Sequence, residues 1–271
     1  MRTRIFGWLL AALLGLVSTV HAQVPTEREL ASLFRALIED RYATDAQLDA
    51  VLLQRAPWSA EQLAIRRPML RAVMRHEAMP AYMAAIMLPM LKADPKADFR
   101  RLGAEAMMML QSKGVARLPE QRQAELVEHI IAVARSAGAK QCTAVLRGKV
   151  APREIDDMEL AYLVKAPLAT LEAVTRLYQE AAEAELSRFP DVRRIDAGQA
   201  GMAAKVYALT IRERVRSKFT PAQLRELNSG ELEDVPATDV CDMLTEAISA
   251  MLDMPEPYRA WQLVRFAQGL Q

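Results

Sequence analysis

Apolar residues return every three or four positions along most of the chain, the period of helices packed on one side. No stretch keeps the two-residue alternation of a half-buried strand between turn residues. Thr26 with Glu29 makes a capping-box pair ahead of Leu30, Leu33, Phe34, Leu37 and Ile38, which the spacing places on one face. Thr44 with Gln47 opens a second helix carrying Leu48, Val51 and Leu52, and Pro57 stops it. Ser59 with Gln62 opens a third that runs toward Ala78. Pro68 lies inside it, lacks a backbone donor and predicts a kink or an interruption. Met79-Pro80 begins the next helix, disturbed at Pro89 and ended at Asp94-Pro95.

A helix over 97–113 follows, with Gly114 placed as its C-terminal cap. The segment 119–137 carries the stripe Leu126, Ile130, Val133 and Ala137, with Gly138 as cap, and a short helix around Cys142 ends near Gly148. The second half continues alike. Helices are predicted over 152–165 and from Pro167 to Arg188, the latter burying Leu171, Val174, Tyr178 and Ala181. Another covers 198–218 with Met202, Val206 and Leu209, ending in the charged run from Arg212 to Arg216. Thr220-Pro221 with Gln223 signals a further start. Thr238 is placed as the cap of a helix with Leu244, Ala247, Ile248 and Met251, and a last helix holds Tyr258, Trp261 and Val264. The pattern predicts an all-α fold, an irregular bundle or array of about ten short-to-medium helices. No fixed-period repeat points to a solenoid. Residues 23–271 read as a single all-α domain, with a subdomain boundary placed near 148–152.

The first 22 residues follow a different logic. Arg2 and Arg4 precede a 13-residue apolar run from Ile5 to Val17, and Val20-His21-Ala22 places small residues at −3 and −1. That is the form of a cleavable secretory signal peptide, too short to span a bilayer. Gln23 in place of a cysteine disfavours a lipid anchor. The expected mature protein has no transmembrane anchor and resides in the periplasm or is secreted.

Composition then narrows the classes. The chain has 35 basic and 34 acidic residues; without Arg2 and Arg4 the balance is 33 to 34. Such a near-neutral surface supplies no long-range field to recruit nucleic acid or an anionic membrane. Two cysteines, Cys142 and Cys241, are expected to pair in an oxidising compartment, the alternative being two buried thiols that never meet. The count excludes a CxxC redox motif or a zinc ribbon.

Methionine is concentrated between Met69 and Met109. His76, Met79, Met83, Met87 and Met90 follow at intervals of 3, 4, 4 and 3, along one helical face. Thioethers beside an imidazole suit Cu(I), but methionine is also an adaptable core filler, so the five are read as core or as a plastic contact face, with no metal and no cofactor expected. His76-Glu77 lacks the second histidine of HExxH, and His129 sits alone in an apolar helix. No G-x-S-x-G, GxxxxGK[ST] or GxGxxG occurs, and Asn228-Ser229-Gly230 reads as a turn. Acidic residues cluster at Glu154, Asp156, Asp157 and Glu159, and again at Glu231, Glu233 and Asp234; helix-dipole and solvation roles explain both, with paired-carboxylate hydrolysis as the alternative. Arg212, Arg214 and Arg216 alternate around a helix and do not form one patch. Trp58, Trp261 and Phe266 are expected as core anchors. No catalytic residue is assigned. The expected function is binding of another macromolecule, with a protein of the cell envelope as the expected partner, as an adaptor, inhibitor or immunity-type protein. The alternative is an envelope hydrolase acting through carboxylates.

Overall fold

The computed structural model describes residues 25–146, 150, 152–228 and 235–270. Residues 1–22, expected to be a signal peptide, Gln23, the acidic group Glu231, Glu233 and Asp234, and most of the expected boundary at 148–152 lie outside the described residues. Within them the chain is all-α, thirteen helices without a strand. They are α1 Glu27–Arg41, α2 Asp45–Leu53, α3 Ala60–Met74, α4 Met79–Ala93, α5 Phe99–Val115, α6 Glu120–Ser136, α7 Ala139–Leu146, α8 Pro152–Lys165, α9 Leu168–Ser187, α10 Ala197–Lys218, α11 Pro221–Asn228, α12 Ala237–Ser249 and α13 Tyr258–Gly269. The thirteen coincide with the helix starts read along the chain, and α2, α7 and α11 are the shortest of them. Helices that short are marginal alone and depend on tertiary packing.

The start signals act through backbone donors. Thr26, Thr44, Ser59 and Thr220 each accept from the amide three residues on, whose side chain returns a bond to the cap amide. Asp196 with Gln199 does the same for α10, a fifth capping box. Thr238 is not a cap: the cap of α12 lies two residues earlier, at Pro236, which makes no side-chain cap bond. Pro68 and Pro89 sit inside α3 and α4 without ending them. Each proline lacks the amide that would bond the carbonyl four residues back, on Ala64 and Ala85, and all four residues are solvent-exposed. Gly138 does cap α6, at φ +80°.

The chain forms two compact units, one of the described residues up to Leu37 together with Pro80–Ala106, the other of Ile38–Met79 and Met107 onward. In the first, Leu30, Phe34, Met83, Ala84, Met87, Leu102 and Ala106 are buried, and Phe34 stacks on Phe99 at 5.4 Å. The α1 face is narrower than its spacing predicts, because Leu33 and Leu37 are exposed.

The second unit is organised around α6, which packs against α7, α8, α9, α12 and α13. One core cluster joins Leu52, Trp58, Leu63, Leu163, Leu171 and Val174. Another joins Val115, Leu118, Leu126, Leu177, Ala181 and Ala267, and a third Val127, Ile131, Met251 and Leu263. Buried amides close helix ends: Gln123 donates to the carbonyls of Val115 and Leu118, and Gln62 to that of Val164. Gly114 is no cap, since α5 continues to Val115; a Cβ there would lie 1.9 Å from the Ala181 carbonyl oxygen, so glycine is what lets α5 approach α9. Cys142 of α7 and Cys241 of α12 are disulfide-bonded, and the Thr143 hydroxyl donates to the Ala237 carbonyl beside them at 2.9 Å. This unit includes helices from both sides of residues 148–152.

Candidate functional site

The predicted contact face divides by burial. Met79, Met83 and Met87 are buried; His76 and Met90 are half-buried. His76 Nδ1 accepts from the Ala78 amide at 3.2 Å and its Nε2 lies 3.4 Å from the Ser187 hydroxyl. Three of the four methionines are therefore buried, and the face offers little accessible thioether surface. Among the described residues no group of three His, Cys, Asp or Glu side chains is placed to hold a metal ion.

Two polar constellations carry more chemistry, and both lie in the second unit. In the first, α6 supplies His129, α8 supplies Asp156 and Glu159, α9 supplies Tyr178 and α3 supplies Arg66. Glu159 Oε1 accepts from Tyr178 Oη at 2.6 Å and faces His129 Nε2 at 2.7 Å. An ionised carboxylate only accepts, so Nε2 carries the proton and Nδ1 points away, buried and without a partner among the described residues. Burial opposes the charge on Glu159, but the His129 and Tyr178 hydrogen bonds and the Arg66 charge outweigh it and hold its pKa below the ordinary value. Asp156 goes the other way: burial raises its pKa, Arg55 pulls it down through an ion pair, and the Glu159 charge adds to the rise. The Arg66 guanidinium stacks 4.5 Å over the buried Trp58 ring. Burial also raises the Tyr178 hydroxyl well above its usual value, with the Glu159 charge reinforcing it.

The acidic cluster of α8 is thus not one solvated face. Glu159, a turn beyond Asp156, meets a histidine 30 residues away in sequence. One prediction follows from the lowered carboxyl of Glu159. Its contribution to stability is complete above the ordinary carboxylate value of 4.5 and is lost as pH falls through the lower folded-state value. Denaturant titrations between pH 7 and pH 2 are expected to show a shallower acid loss for Glu159→Gln than for the natural chain, by up to about one proton's slope below pH 4.5. Parallel curves would remove Glu159 from the account of acid stability.

The second constellation centres on Glu246 of α12, 6% exposed. It accepts from Arg214 Nε at 2.5 Å and Lys218 Nζ at 2.6 Å, both on α10, with Arg135 of α6 at 3.6 Å. Arg214 also pairs with Asp253. Burial disfavours the Glu246 anion, yet the Lys218 and Arg214 bonds hold its pKa below the usual range. Its partners Arg135 and Arg214 also line an open cavity of about 280 Å³, together with Ile131, Ala132, Leu252 and Asp253. Arg214 is therefore spent on locking α10 to α12, while Arg212 and Arg216 are exposed. Alternation does separate the middle arginine from its neighbours, but Arg212 and Arg216, four apart, share one side.

That side is the outer face of the longest helix. Leu209 is 60% exposed and Met202 44%, seven residues apart and hence in register on one face. Periodicity counts both as helix-face residues and cannot say that this face looks outward; the inward face is set by Ala203, Val215 and the Arg214 pairing. No protein-family model, curated protein or solved structure matches the chain.

Proposed function

We propose that the chain is an exported protein, periplasmic or secreted, that binds another protein of the cell envelope as an adaptor, inhibitor or immunity-type protein. The observation that carries this reading is the outward pair Met202 and Leu209 on α10. Apolar side chains aligned on a solvent-facing helix cost free energy unless a partner covers them, whereas single scattered ones mean little. Export is supported by the basic head and apolar run of residues 1–22 and by the Cys142–Cys241 disulfide, which suits an oxidising compartment. Among the described residues no helix is long and apolar enough to cross a membrane.

The test is affinity capture by the oxidised protein from envelope and secreted fractions, quantified by mass spectrometry. One protein partner recovered near one-to-one is the expected result. Recovery of no stoichiometric partner from either fraction contradicts the reading.

A second reading has one observation in its favour. Asp156 and Glu159 have carboxyl groups pushed in opposite directions on adjacent turns of α8, the arrangement by which an acid and a base are told apart in polymer hydrolysis. Incubation with purified peptidoglycan discriminates: cleavage that Asp156→Asn and Glu159→Gln both abolish would establish the hydrolase, and an intact polymer would remove it.

A further inference from the structure

Resting on the binding reading, we propose that the outer face of α10 is the docking surface and that the partner presents an acidic amphipathic helix to it. Met202, Lys205, Leu209, Arg212 and Arg216 succeed one another at intervals of three, four, three and four residues, the spacing that keeps side chains in one row. All five are exposed. The row has no route inward, because the other side of α10 is committed. Ala203 and Val215 are buried there, Tyr207 donates to the Ala247 carbonyl at 2.8 Å, and Arg214 and Lys218 engage Glu246.

Charge selects the occupant. Arg214 and Lys218 have their carboxylates, but Lys205, Arg212 and Arg216 have no ion-pair partner among the described residues. A second copy docking by two-fold symmetry brings the same three cations to the same row, where like charges oppose association. An anionic bilayer suits the cations, but only two large apolar side chains stand ready to insert. The row contains no aromatic anchor, and exposed Glu213 sits beside it. A helix with apolar residues seven apart, flanked by Asp or Glu, covers Met202 and Leu209 and sets carboxylates against all three cations.

Carbodiimide coupling reads this contact directly. The reagent activates a carboxylate, and the Lys205 amine displaces the activated oxygen as a urea to form an amide, only where the two groups touch. In envelope fractions the expected product is an amide between Lys205 and an Asp or Glu within a helix of a second protein. Leu209→Glu, at a position too exposed to disturb the fold, is expected to lower its yield at least about tenfold. A stoichiometric partner retained equally by Leu209→Glu overturns the docking face while leaving the binding reading intact. Coupling of Lys205 to a second copy of the chain, or Leu209-dependent flotation with phosphatidylglycerol vesicles, overturns the choice of partner. Absence of any partner overturns both readings.

Discussion

Gly114→Ala is expected to destabilise the protein by about 3 kcal/mol or more, measured as the shift in denaturant midpoint at unchanged slope. The added methyl carbon would sit 1.9 Å from the Ala181 carbonyl oxygen and 2.4 Å from its carbon. Both are backbone atoms of α9, so no rotamer change relieves the contact, and α5 and α9 must separate through the cluster of Val115, Leu118, Leu126, Leu177 and Ala181. Alanine's better helix propensity, worth about 1 kcal/mol, opposes this loss and does not cancel it. Two controls isolate the cause. Gly103→Ala, in the same helix with nothing within 4 Å of its added carbon, is expected to stabilise by about 0.5–1 kcal/mol. Ala181→Gly leaves the offending oxygen in place and is not expected to rescue Gly114→Ala. A neutral Gly114→Ala, or full rescue by Ala181→Gly, contradicts the close-approach account.

The paired substitution Cys142→Ala with Cys241→Ala is expected to cost about 2–5 kcal/mol relative to the oxidised protein. The bond spans 99 residues of chain, so its removal frees a large unfolded-state loop. It also releases α7, an eight-residue helix that cannot persist on propensity alone. Hydrogen exchange should therefore localise the loss, with α7 amides opening before those of α6, whose buried face belongs to several clusters. An unchanged denaturation midpoint would contradict this, as would uniform loss of protection.

These two effects differ in how far the amino-acid sequence announces them. The disulfide was legible from an even cysteine count beside a leading segment read as secretory, an expectation under which pairing is the ordinary chemistry. The role of Gly114 was not. A glycine after a helical stripe reads as a cap, and only the crossing of α9, some 67 residues on, makes it a contact residue. Gly138, in the same sequence context, is a cap with positive φ. Local chemistry was the reliable part: the four boxes at Thr26, Thr44, Ser59 and Thr220 depend only on residues three apart. Asp196 with Gln199 obeys the same rule and is readable in retrospect. Pro68 and Pro89 were legible as points of disturbance but not as interior residues of α3 and α4, since whether a helix resumes past a proline is decided by the packing around it. Long-range pairing was invisible. His129 reads as a lone histidine until α8 brings Glu159 to 2.7 Å, and Arg214 reads as one of three equivalent arginines until Glu246 claims it. The outward aspect of α10 follows from that same claim, so the candidate surface could not be separated from core stripes by periodicity.

Partner occupancy of Leu209→Glu, set beside that of Glu159→Gln and the natural chain, is the most direct test of the central claim that the α10 row, and not the His129–Glu159–Tyr178 cluster, carries the function. The account predicts a folded Leu209→Glu that has lost its stoichiometric envelope partner and a Glu159→Gln that keeps it. Retention by Leu209→Glu with loss by Glu159→Gln would contradict the account and move the function to the buried polar cluster.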